Sequence, residues 1–203
     1  YSPVTTVGGG MILDPLSEKH KRYAQEVLEE FRLLSGGGEI EKLTVVMARA
    51  GIGGITEPRL VIRTGIRRAE LRKRLEGMFS ARSAMLVDRE ETRVLSGPVY
   101  AHLQMTIIEE LKGYHERFPL KEGISREELR TTLGMDDGAG QKIFSMALRE
   151  LEKRGELIAE KEHVRLSGHH VQLKGAMGDL RESISGVYRQ GGLSPPTVKE
   201  VLE

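Results

Sequence analysis

The chain has 203 residues, 38% of them hydrophobic and 30% charged, which suits a soluble, helix-rich protein of two or three small modules. It has no cysteine, so disulfides and thiolate zinc sites are excluded and a reducing cytoplasm is expected; no apolar run reaches membrane-spanning length. A net charge of +1 gives no global basic field for nucleic acid, and 4% aromatic residues without Trp predict small aliphatic cores.

Tyr1 to Val7 (YSPVTTV) reads as a β-strand already under way, which places residues 1–14 at the end of a preceding domain. Gly8, Gly9 and Gly10 follow. They lack the Lys-Ser/Thr of a phosphate loop, and Asp14-Pro15 stands where a helix N-terminus would begin, so they read as a bend. Ser17 to Leu34 is an expected helix with Val27, Leu28, Phe31 and Leu34 as its apolar positions, closed by the Ser35–Gly38 turn. A second helix is expected near 39–50 (Ile40, Leu43, Val46, Met47). Thr56 is placed to cap a third, with Pro58 in its first turn. Another runs over about 66–81 (Leu71, Leu75, Met78, Phe79). AMLV and TRVLSG then form a hairpin around Asp88 to Glu91.

The plan repeats. Over 99–118, Leu103, Ile107, Leu111, Tyr114 and Phe118 make one helical stripe, with Pro98 in the first turn and Pro119 as the stop. Ser125 and Glu128 have the spacing of a capping box, Leu129 and Leu133 are the buried positions behind it, and Gly134 closes that helix. MDDGAG offers an acidic cap for a helix over 138–154, with Ile143, Ala147 and Leu151 inward, Phe144 and Leu148 beside them, and Gly155 at its end. ELIAE and HVRLSG read as two strands around Lys161-Glu162.

The short helix opens three times, as GITEPRL, GISREEL and GLSPPTV, from Gly54, Gly123 and Gly192. Helices followed by a hairpin within about 70 residues are the winged-helix plan, and repetition strengthens the reading. The expected fold is mainly α with small β-hairpin wings (α+β). It comprises tandem winged-helix, or helix-turn-helix, repeats preceded by the last strand of a β-barrel domain. Residues 15–97 make the first module with an extra N-terminal helix, 98–170 the second, and 171–203 a truncated third. The third shows a helix near 175–190 and a start at Ser194 with Pro195-Pro196. It is expected to be loosely held, swapped, or packed on the second. The non-Met start and the stop within a helical pattern read as a piece of a larger protein.

No nucleotide-binding, hydrolase or metalloprotease motif occurs, so neither a catalytic residue nor a metal site is expected. His169-His170, near His163, read as a polar linker, Asp136-Asp137 as a helix cap, and Glu109-Glu110 as a solvated face. The charged feature is the run Arg59, Arg63, Arg67, Arg68, Arg72, Lys73 and Arg74, broken by one acid, Glu70. In winged helices the third helix and the wing face nucleic acid. The candidate contacts are therefore Arg63, Arg67, Arg68, Arg72 and Lys73, with Arg89 in the first wing. Their second-module counterparts are Lys142, Arg149 and Lys153, there diluted by Glu150, Glu152, Glu156, Glu160 and Glu162. Such a face is also commonly just solvated surface.

The opening YSPVTTVGGGMILDP resembles the end of the third β-barrel domain in bacterial selenocysteine-specific translation elongation factors, the SelB family. FPLKEGISREELR (118–130) resembles the family pattern N-P-L-x-x-G-[IM]-x-x-E-E-L-R, and VRLSGHH (164–170) its following hairpin end. The resemblance implies a cytoplasmic protein, without membrane partners, that in full length binds GTP and magnesium and delivers selenocysteinyl-tRNA to the ribosome. Those sites would lie before Tyr1. The messenger RNA selenocysteine-insertion hairpin would be read by a last winged helix beyond Glu203. This segment would be the arm between them, with no cofactor of its own and at most weak RNA contacts. The alternative from the residues alone is a winged-helix DNA-binding regulator.

Overall fold

The structure is a computed structural model and describes residues 8–17, 19–21, 24–171, 176–192, 194, 196–198 and 200. The expected strand at Tyr1–Val7 lies outside the described residues. Of the stretch expected to form a helix from Ser194, only 194, 196–198 and 200 are described.

The first unit runs α1 (Gln25–Gly36), α2 (Glu39–Arg49), a 3-10 turn (Gly51–Gly53), β1 (Ile55–Thr56), α3 (Glu57–Thr64), α4 (Arg68–Ser80), β2 (Ala84–Asp88) and β3 (Arg93–Ser96). The second runs α5 (Gly97–Arg117), β4 (Ile124–Ser125), α6 (Arg126–Thr132), α7 (Gly138–Lys153), β5 (Leu157–Ala159) and β6 (His163–Leu166); α8 (Ala176–Gln190) follows. Each sheet is antiparallel and three-stranded, and the orders β1-β3-β2 and β4-β6-β5 correspond. Among the described residues no helix is long and apolar enough to cross a membrane.

The helix expected over Ser17–Leu34 begins only at Gln25. Every apolar position of that pattern lies after Ala24, so the polar stretch before it has no face to bury. Leu34 reaches the core, while Leu28 stays 40% exposed.

Two expected caps do not form. Thr56 and Ser125 stand at the N-caps of α3 and α6, but neither side chain bonds its helix, and the Ser125–Glu128 capping box is absent. The helix starts are held by strand pairing instead. Ile55 pairs with Val94 and Ile124 with Val164, and the first helical N–H donates across the sheet. Glu57 N–H reaches Thr92 O at 3.0 Å, and Arg126 N–H reaches Glu162 O at 2.9 Å. One of the orphan donors at each helix start, the first helical N–H, is thus met by backbone. This pairing also explains the repeated glycine. A Cβ at Gly54 would stand 2.7 Å from Val94 O, and one at Gly123 would stand 2.6 Å from Val164 O. The acidic cap of α7 does form: Asp137 accepts from Gly140 N–H at 2.6 Å.

One core gathers Leu43, Val46, Leu60, Leu71, Leu75 and Val94. The other gathers Leu103, Ile107, Leu111, Leu129, Ile143, Leu151 and Val164. They are not separated by a linker. α5 begins at the residue after β3, and Leu95 of β3 is buried in the second core, with Ile52, Met85 and Val87 packed on it. α7 rests against β2 and the 51–53 turn.

Candidate nucleic-acid interface

The expected contact residues fall into three environments. Arg63, on α3, turns away from the basic run: its guanidinium grips Asp14, with Nη2 to Oδ2 at 2.6 Å and Nε within 3.2 Å of both oxygens. Its side chain is 13% exposed and that of Asp14 1%. Burial raises the Asp14 carboxyl, but the hydrogen bonds from Arg63 and Leu16 and the nearby charges outweigh it and hold the group below its usual value. This pair straps the segment around Asp14 onto the first unit.

Arg68 and Arg72 sit one turn apart on α4 and share a single acid. Glu57, in the first turn of α3, pairs with Arg68 Nε through Oε1 and with Arg72 Nε at 3.0 Å through Oε2. Glu57 is 1% exposed, whereas the two arginine side chains are 61% and 59% exposed. The Arg72 hydrogen bond lowers the Glu57 carboxyl most; burial opposes it and Arg68 reinforces it. Each arginine uses Nε on Glu57, and its side chain stays more than half exposed. Arg67 (the α4 N-cap) and Lys73 are exposed and have no ion-pair partner among the described residues, while Arg74 pairs with Glu39 at 2.8 Å. Arg89 is exposed in the β2–β3 turn.

The second unit differs. Lys142 is tied to Asp88 of β2, an ion pair that crosses between the units. The partner bond raises the Lys142 amine and lowers the Asp88 carboxyl. Asp88 also accepts from Glu90 N–H at 2.8 Å, so it shapes its own turn while holding α7. Arg149 is exposed. Lys153 lies on a cleft of about 740 Å³ between the units, beside Arg82, Phe79, Met85 and Arg154. Its floor is internally satisfied: Gln104 donates to Glu150 at 3.1 Å, and Arg154 donates to Gln104 at 3.0 Å. α4 and α7 are therefore unequal. α7 is covered along the side that meets β2 and the 51–53 turn; α4 keeps its basic face open.

One histidine of the expected linker, His169, has a structural role. His169 stacks on His115 with centroids 3.6 Å apart and planes 13° apart. His115 Nε2 accepts from Leu166 N–H at 3.2 Å, and His169 Nε2 donates to Lys121 O at 2.9 Å. Among the described residues no group of three acids or histidines is placed to hold a metal ion. Sequence reasoning missed Glu57, Asp14 and Asp88 as organisers of the charged side chains. Their partners lie 11 to 54 positions away, and no local spacing marks such pairs.

The family model described as "Elongation factor SelB, winged helix" matches residues 108–166, the body of the second unit. Along its whole length the chain is 34% identical to the selenocysteine-specific elongation factor of Desulfomicrobium baculatum. The chain belongs to the SelB family. It spans 32% of the length of that relative, so it corresponds to a winged-helix segment of a SelB protein. Neither comparison points toward a DNA-binding regulator.

Proposed function

We propose that this SelB segment is the winged-helix arm that sets the distance between a GTPase and tRNA-binding body and the end that reads the messenger RNA hairpin during selenocysteine incorporation. In this reading α1 to β3 form a first winged helix like the matched second one. Residues 1–14 close a preceding barrel, 15–97 and 98–170 are the two modules, and 171–203 begin a third. GTP and magnesium belong to the body, and the selenocysteinyl-tRNA and ribosome are partners of the whole factor.

The observation that carries the reading is the joint. Leu95 of β3 is buried in the second core, α7 lies on β2, and Lys142 holds Asp88, so two modules are joined without a hinge segment between them. A spacer must transmit position, and a packed joint does so where a flexible linker would not. The 34% identity across the full chain places the same segment within a selenocysteine-specific factor.

The test compares this chain with a protein extended to its natural C-terminus, each titrated with the RNA hairpin of a selenoprotein message. The extended protein is expected to bind with sequence specificity and this chain is not. Specific hairpin binding by this chain alone would make it a reader rather than an arm.

A further inference from the structure

We propose that the open face of α4 is a docking surface for the phosphate backbone of duplex RNA, with Arg68 and Arg72 as a paired clamp and Arg67 and Lys73 as flanking charges. Residues four apart on a helix stand on one face with their Cβ atoms about 5–6 Å apart. Glu57 holds both guanidinium groups through their Nε atoms, and more than half of each arginine side chain stays exposed. Arginines held in place lose less side-chain freedom on binding than free ones. The four cations share this stretch with Glu57, Glu70 and Glu76, the last lying one turn after Arg72, while Arg74 is matched by Glu39, so a surplus of one positive charge remains.

The chemistry selects the occupant. The exposed residues of α4 include Arg68, Glu70, Arg72, Lys73 and Glu76, with no aromatic or large aliphatic side chain among them. A protein interface needs an apolar centre, which this face lacks. No Asn or Gln is present for adenine edges, and the deep, narrow major groove of duplex RNA keeps arginines from guanine edges, so the face suits backbone positioning rather than base reading. The choice of RNA over DNA rests on the translation-factor reading above. The choice of α4 over α7 does not: α4 gathers four exposed cations at positions 67, 68, 72 and 73, whereas the exposed cations of α7, Lys142, Arg149 and Lys153, are spread along the helix and Lys142 is paired with Asp88.

The experiment is fluorescence anisotropy of the full chain with an RNA duplex of arbitrary sequence, a DNA duplex of the same sequence, and polyglutamate as competitor, across a salt series. RNA binding is expected to weaken steeply with salt. Arg68→Ala with Arg72→Ala should lower affinity about tenfold and reduce the salt slope by about 2, one for each lost phosphate contact. Because that pair of changes orphans the buried Glu57, the same titration is run with Glu57→Gln added, and with Arg67→Ala and Lys73→Ala alone. Arg149→Ala on α7 should leave affinity within about twofold, having no phosphate contact to lose. Absence of RNA binding at low salt overturns the surface, as does binding indifferent to the α4 variants or equally sensitive to Arg149→Ala. DNA bound as tightly as RNA, or polyglutamate competing equally per charge, overturns RNA as the occupant. Failure of the arm reading shows elsewhere, in the hairpin titration of the extended protein.

Discussion

Glu57 is a buried carboxylate whose two partners are each more than half exposed, so its energetics are asymmetric. Removing Arg68 and Arg72 strands a desolvated charge, while removing Glu57 returns two arginines to water. Arg68→Ala with Arg72→Ala should therefore lower the thermal midpoint more than Glu57→Gln does, read by circular dichroism at pH 7. The folded carboxyl lies below its ordinary 4.5, so its stabilisation is complete above that value and is lost as pH falls through the folded value. The wild-type midpoint should fall in that acidic window and that of Glu57→Gln should fall less. His115 acts in a higher window. Burial first, then the charges of His169 and Arg165, lower its pKa from 6.5. Its Nε2 accepts the Leu166 N–H, and a proton there would set donor against donor. A lowered histidine pKa means full stability above about 6.5 and loss as pH drops below it. Midpoints measured from pH 7.5 down to 5.5 should decline for the wild type and stay flatter for His115→Phe; equal declines would remove His115 as the cause.

Helix beginnings show how two similar elements are built. α3 and α6 start from strands, and the neighbouring strand end supplies an acceptor for the first helical N–H while no side chain caps the helix. α7 has no strand before it and relies on Asp137. Two similar-looking N-caps should then respond differently. Ser125→Ala is expected to change unfolding stability by no more than about 0.5 kcal/mol, as for an unengaged surface hydroxyl. Asp137→Ala should cost about 1 kcal/mol, the typical value of a lost cap. Urea titrations of the two variants read the difference directly, and equal losses would show that Ser125 caps in solution.

Across the whole molecule, the two cores meet at Leu95, which is fully buried on β3 of the first unit yet belongs to the second core. Because α7 rests on β2, neither unit can unfold without exposing apolar surface on the other. One urea transition is expected for both, followed by circular dichroism and by amide exchange resolved along the chain. Leu95→Ala should cost about 2–5 kcal/mol and pull the two exchange profiles apart. Two separate transitions in the wild type would instead describe a jointed chain and weaken the arm reading.

Periodicity alone located the helices that contain Leu103–Leu111 and Ile143–Leu151, because a buried stripe every three or four residues leaves its mark in consecutive sequence. The hairpins at Asp88–Glu91 and Lys161-Glu162 were legible for the same reason, through alternation and turn residues. So was the recurrence of glycine at positions 54 and 123, though not its cause: the carbonyls that exclude a Cβ belong to strands about 40 residues downstream. The run from Arg59 to Arg74 showed where positive charge is concentrated, but not its direction. Which arginine is spent on Asp14, which two lean on Glu57, and which helix is covered by its neighbour depend on pairs distant in sequence. Only the packed structure brings those pairs together, since a guanidinium reaches whichever carboxylate the fold sets beside it.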